Sequence, residues 1–149
     1  MKIAVLGYGT VGSGVVEVLD VNQKLIASRA KEKIEVKYVL DLRDFPGDKI
    51  QEKIVHDYEI ILNDPEIGIV VEVMGGVEPA NTFVRKALEA GKSVVTSNKA
   101  LVAKYGSALL KTAREKNVNF LFEASVGGGI PILRALGSSL TGNEYQTSC

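Results

Sequence analysis

Apolar residues recur at two spacings along this chain, and the two alternate. Residues 2–6 (KIAVL) form a short apolar run, which predicts a buried strand. From Val11 the apolar positions Val15, Val18, Leu19, Leu25 and Ile26 fall at helical intervals, predicting a helix to about Ala30. Residues 34–40 (IEVKYVL) are β-branched and mostly alternating, which predicts a second strand. Asp44 to Gly47 is a loop by composition, and residues 57–62 are read as a short third strand, stopped by Asn63-Asp64-Pro65. Residues 69–73 (IVVEV) predict a further buried strand, which Gly75-Gly76 ends. Pro79 suits the first turn of a helix carrying Ala80, Phe83, Val84, Ala87 and Leu88 on one face, with Gly91 at its end.

The alternation continues to the carboxyl end. Residues 93–96 (SVVT) predict a strand, and Ser97 and Asn98 are of the types that cap a helix start. Leu101, Tyr105, Ala108, Leu109 and Thr112 share one face of the helix that follows. Residues 119–123 (NFLFE) predict a last strand, followed by Gly127-Gly128-Gly129 and a helical spacing through Leu133, Leu136 and Leu140. The total is about six strands and about five helices in alternation, the pattern of a doubly wound parallel α/β (Rossmann) domain.

Composition narrows the function. Lys plus Arg and Asp plus Glu are both 18, so no charge excess favours nucleic acid or an anionic membrane as partner. The single Cys is the last residue and there is a single His, which excludes an internal disulfide and a Cys- or His-rich metal cage. No apolar run approaches the ~20 residues needed to span a bilayer, and the first residues lack a signal-peptide core. The expected location is cytoplasmic.

Five constellations carry candidate chemistry. Gly7-Tyr8-Gly9-Thr10-Val11-Gly12 is a full G-x-G-x-x-G between a predicted strand and a predicted helix. Gly7 suits the tight turn, Gly9 the approach of a pyrophosphate, and Gly12 close helix packing. The N–H groups of Thr10 and Val11 then face the phosphates at a helix N-terminus. Asp41-Leu42-Arg43 follows the second strand, where an acid favours the ribose of NAD and an Arg the 2′-phosphate of NADP. Both are present, so the choice stays open, and the interval from Gly12 to Asp41 exceeds the usual ~20 residues. Gly75-Gly76 would let ribose and nicotinamide lie against backbone, or simply turn the chain. Ser97 and Lys99, in Thr96-Ser97-Asn98-Lys99, stand where a cation can stabilise charge on a carbonyl oxygen or hold an anion; the alternative is a solvated Lys. Glu123 to Pro131, with its three glycines, can gather carbonyls around a hard cation or form an anion nest. Three residues are read as unremarkable: His56 at the surface of a weakly structured stretch, Glu72 at a partly wet strand face, and Cys149 as a terminal thiol.

GYGTVGSGV, VVEVMGG, VVTSNKALVA and FEASVGGGIPIL together resemble the nucleotide-binding domain of homoserine dehydrogenase, over essentially the whole chain. The resemblance implies reversible NAD(P)H-dependent reduction of L-aspartate 4-semialdehyde to L-homoserine, on the way to threonine and methionine. It implies direct hydride transfer without a covalent intermediate, which agrees with the lack of an internal Cys nucleophile. By the same resemblance Gly7 to Gly12 carry the pyrophosphate and Arg43 meets the 2′-phosphate. Lys99 lies near nicotinamide and substrate, assisting binding or catalysis. Asp41 departs from the plainer family pattern and leaves strict NADP preference in doubt. The Gly-rich loop resembles a structural sodium site with ligands at the carbonyls of Glu123, Val126, Gly128 and Ile130. The domain would occupy residues 1–140, with 141–149 opening a missing substrate and dimerisation domain of a homodimer or homotetramer. The chain is then expected to be a fragment that binds cofactor with little turnover. Another Rossmann oxidoreductase or a non-catalytic dinucleotide-sensing module are the competing readings. Titration with nicotinamide dinucleotides separates binder from non-binder.

Overall fold

The computed structural model describes residues 1–21 and 33–123. Six parallel strands form one sheet: β1 (Lys2–Leu6), β2 (Glu35–Leu40), β3 (Ile54–Val55), β4 (Ile67–Glu72), β5 (Ser93–Thr96) and β6 (Phe120–Phe122). Their spatial order is β3-β2-β1-β4-β5-β6, the doubly wound order in which the chain reverses direction across the sheet beside β1. The described helices are α1 (Thr10–Val21), α2 (Tyr58–Leu62), α3 (Ala80–Glu89) and α4 (Lys99–Lys116), with a 3₁₀ turn at Lys49–Lys53.

The strand pleat sorts the core. Ile3 and Val5 face α1 with Val15, Leu19, Val36 and Val71. Ala4 and Leu6 face the opposite layer with Val70, Val84, Leu88, Val94, Leu101 and Leu109. Both faces are covered, so the central strands are apolar throughout rather than alternating. Each fully buried aliphatic side chain here adds about 1.5–3 kcal/mol to the drive for folding. At the amino end of the sheet Lys92 is buried, and its Nζ donates to the carbonyls of Asp64 (2.8 Å) and Ile67 (2.9 Å).

The structure corrects one element. Residues 57–62 are not a strand. Asp57 accepts from the Glu59 N–H (3.0 Å) and caps the helix α2, whose Tyr58 and Ile61 are buried. The third strand is the short β3 just before it, which pairs with Val39 and Leu40 of β2. The predicted course of the first helix beyond Val21, the Gly-rich loop from residue 124, the following helix and residues 141–149 lie outside the described residues.

Candidate functional site

All six strands point their carboxyl ends to one edge, and the chemistry-bearing residues gather there. The G-x-G-x-x-G turn leaves β1 and enters α1 as the sequence predicts, and its three glycines meet different surroundings. Gly7 has φ +103°, a left-handed conformation, and its N–H donates to the Leu40 carbonyl (2.8 Å). A Cβ on Gly12 would lie 1.9 Å from the Gly7 carbonyl oxygen, so no side chain fits between helix and turn. A Cβ on Gly9 would meet nothing within 4 Å. The first bond into the helix runs from the Ser13 N–H to the Gly9 carbonyl (2.9 Å). The N–H groups of Thr10 and Val11, ahead of it, therefore have no intrahelical acceptor, beside the open face of Gly9.

Asp41 and Arg43 do come to this turn, but in a form the sequence does not announce. The Asp41 carboxylate accepts from the Tyr8 N–H (2.9 Å), the Arg43 N–H (2.9 Å) and the Arg43 side chain at Nε and Nη2 (both 3.0 Å). The Arg43 guanidinium is the main reason its carboxyl is held down at about 2. Asp41 thus ties the glycine turn to the end of β2. Arg43 also donates from Nη2 to the Tyr8 carbonyl (3.3 Å) and lies over the Phe45 ring at 5.1 Å. Its Nη1 meets no acceptor among the described residues, and the side chain is 62% exposed, which leaves donors for a ligand.

A cavity of about 520 Å³ opens beside this group, between Gly7, Gly9, Asp41, Arg43, Tyr58 and Phe83. Tyr58 and Phe83 stack with ring centroids 4.3 Å apart, and the Tyr58 hydroxyl donates to the Phe83 carbonyl (2.7 Å). His56 also lines it. The residue is exposed, as the sequence suggests, but its surroundings are organised. Nδ1 donates to the Asp41 carbonyl (2.6 Å) and Nε2 to the Asp44 carboxylate (3.0 Å). The Asp41 carbonyl, then Asp44, raise its pKa above the ordinary value.

On the other side of β1 the loops after β4 and β5 meet. Gly75 and Gly76 both adopt positive φ (+80° and +73°), which favours glycine at each. Asn98 caps α4 by accepting from the Leu101 N–H (3.1 Å), so Lys99 is the first helical residue, exposed just past the carboxyl end of β5. The Ser97 N–H donates to the Glu72 carbonyl (3.3 Å). Glu72 corrects the reading of a partly wet face: it is fully buried and its carboxylate joins the two loops. Of the expected sodium ligands only Glu123 is described; Val126, Gly128 and Ile130 lie outside the described residues. Among the described residues no group of three or more His, Cys, Asp or Glu is placed to hold a metal ion. Also among them, no helix is long and apolar enough to cross a membrane.

Parallel order, a glycine turn after the central strand and a cavity beside it define the class: a dinucleotide-binding α/β domain. Residues 7–123 match the family model described as "Homoserine dehydrogenase, NAD binding domain". The chain belongs to this family. It is 45% identical over 150 residues to homoserine dehydrogenase of Synechocystis sp., covering 99% of this chain and 34% of that protein. It is 43% identical to the Pseudomonas aeruginosa enzyme over 98% of this chain and 34% of that protein. The crystal structure of a homoserine dehydrogenase from Thiobacillus denitrificans superposes with a TM-score of 0.77 at 42% identity, over 91% of this chain and 32% of that one. The chain therefore spans about a third of the length of the curated relatives it matches.

Proposed function

We propose that the chain holds a nicotinamide dinucleotide along the carboxyl edge of its sheet, as the cofactor-binding part of an enzyme interconverting L-homoserine and L-aspartate 4-semialdehyde. The observation that carries the reading is the contrast between two glycines of one turn. Gly12 has no room for a side chain, whereas Gly9 faces open space next to the N–H groups of Thr10 and Val11, which have no acceptor among the described residues. A turn needed only for packing has no use for the second feature. The bound cofactor would supply hydride transfer. The chain's own residues bind and orient it: the amides of Tyr8 to Gly12 around the pyrophosphate, Gly75 and Gly76 against the far ribose, Ser97 and Lys99 at the nicotinamide end. The Lys99 ammonium would be a proton-bearing cation within reach of the substrate oxygen. A structural sodium ion at the loop from Glu123 remains part of this proposal through the family resemblance alone.

The geometry favours NADP over NAD. Asp41 is already engaged by Tyr8 and Arg43, which limits its use as a ribose acceptor, while Arg43 keeps free donors where a 2′-phosphate would lie. Calorimetric titration with NADP(H) and NAD(H) tests this. The expected result is binding of both with NADP(H) tighter, and Arg43→Ala losing about tenfold or more for NADP(H) alone. Equal losses for both cofactors would overturn the role of Arg43. Because the chain spans about a third of the length of these relatives, the 149-residue chain alone is expected to bind the cofactor and to turn over homoserine at far below an ordinary enzymatic rate. A homoserine-dependent rise in NAD(P)H absorbance at such a rate would contradict it.

A further inference from the structure

We infer that Glu72 is a positioning residue for the nicotinamide half of the cofactor, acting by locking the loops after β4 and β5 into one wall; the inference rests on the dinucleotide reading above. A carboxylate in the middle of five apolar residues is out of place in a strand that buries both faces. Glu72 is 0% exposed, and so is its neighbour Thr96 on β5, with Asn98 at 5%. The Thr96 hydroxyl donates to Glu72 Oε1 at 2.6 Å. The Met74 N–H donates to Oε2 at 2.9 Å, and Asn98 Nδ2 approaches the same oxygen at 3.4 Å. Asn98 Nδ2 donates again to the Gly76 carbonyl at 2.5 Å, and the Asn98 N–H donates to Thr96 Oγ1 at 3.0 Å. Every one of these bonds ends on the Met74–Gly76 stretch or on the Thr96–Lys99 stretch. None reaches the glycine turn, Asp41 or Arg43.

The strand order places this network. The adenosine side of the crevice lies over β2, where Asp41 and Arg43 stand, and the pyrophosphate over the turn after β1. A dinucleotide crossing β1 must set its second half over β4 and β5, against the two loops that Glu72 joins. A buried acceptor with three donors holds its place through those bonds; removing it leaves the donors unpaired and frees the loops from each other. In the stretch from Met74 to Gly76 the Met74 side chain packs against the core beside Gly7. Gly75 and Gly76 are left-handed and have no side chains to pack, and the Asn98 bond to the Gly76 carbonyl ties that end of the stretch. The same network caps α4 through Asn98 and so fixes the origin of Lys99.

The test compares NADPH with 2′-phospho-ADP-ribose, which lacks the nicotinamide, as ligands of the 149-residue chain and of Glu72→Gln. Calorimetry gives the two affinities, and the emission of bound NADPH reports how the nicotinamide is held. The unchanged chain is expected to prefer NADPH. In Glu72→Gln the preference is expected to shrink about tenfold, with 2′-phospho-ADP-ribose bound within about twofold of the unchanged chain and the emission change reduced. Thr96→Val keeps the side-chain shape and removes both the hydroxyl donor to Glu72 and the acceptor of the Asn98 N–H; it is expected to move the same ratio in the same direction, and it serves should Glu72→Gln fail to fold. Equal weakening of both ligands would mean a general structural role and overturn the inference. An unaltered ratio in both variants would overturn it too, as would equal affinity of the unchanged chain for the two ligands. Failure of the unchanged chain to bind either ligand would instead overturn the dinucleotide reading, and this inference with it.

Discussion

Asp41 shows how a residue of the expected type can do unexpected work. The sequence places an acid after the second strand and points it at a ribose. Its oxygens are instead taken by Tyr8 and Arg43, contacts 33 residues back and two residues on. Because the folded carboxyl is held at about 2, below its ordinary value of 3.8, the stabilisation it brings is complete above pH 4. It is lost as the pH falls through about 2. Asp41→Asn is therefore expected to lower the thermal midpoint at pH 7 and to approach the unchanged chain near pH 2; a constant difference across that range would contradict the tether. His56 titrates in the opposite sense. Its pKa is raised, so its stabilising bonds are complete below the ordinary value of 6.5 and fade as the pH rises through the raised one. It is the single histidine in the chain, so its imidazole resonance can be followed directly. A midpoint above 6.5 is expected, and one below would refute the bridge to Asp41 and Asp44. Nothing local in the sequence marks His56 or Glu72, because their partners are distant along the chain. Thr96 and Asn98 lie 24 and 26 residues beyond Glu72, and no local pattern announces that pairing.

At the scale of elements, long periodic segments were legible and short ones were not. β1 and β5 have the predicted bounds, and α3 and α4 bury the predicted Val84, Leu88, Leu101 and Leu109, whereas Ala108, expected on the α4 face, is exposed and Ala113 is buried instead. Residues 57–62 (DYEIIL) depart from the expected strand because so short a mixed stretch of apolar and charged residues fits strand and helix alike. The available signal was Asp57, a capping type whose carboxylate reaches the Glu59 N–H, and the spacing of Tyr58 to Ile61, which buries both while Ile60 stays 44% exposed. The glycine turn gives the sharpest element-level prediction. Gly12→Ala must push α1 away from the Gly7 carbonyl and is expected to cost about 3 kcal/mol in denaturant unfolding. A Cβ at Gly9 meets nothing within 4 Å, so Gly9→Val is expected to unfold near the unchanged chain while losing dinucleotide binding. Comparable stability of both variants would mean that the two glycines do not divide packing from binding.

For the whole molecule, the order of strands explains why these sites lie where they do. Parallel strands put all their carboxyl ends on one edge, and reversal of the winding beside β1 parts the flanking loops there, opening a crevice with the Asp41–Arg43 side over β2 and the Glu72-bound loops over β4 and β5. The alternation of short apolar runs and helical spacings was enough to read this architecture, and the G-x-G-x-x-G enough to find its centre. Which donors in the crevice are already used was not readable, because that depends on long-range pairing. The account stands on backbone amides of one turn gripping a diphosphate. Amide NMR of the chain titrated with NADPH measures this directly. The N–H resonances of Gly9, Thr10 and Val11 are expected to shift most and to saturate at one equivalent. Resonances of that turn left unmoved at millimolar NADPH, with the chain folded, would contradict it.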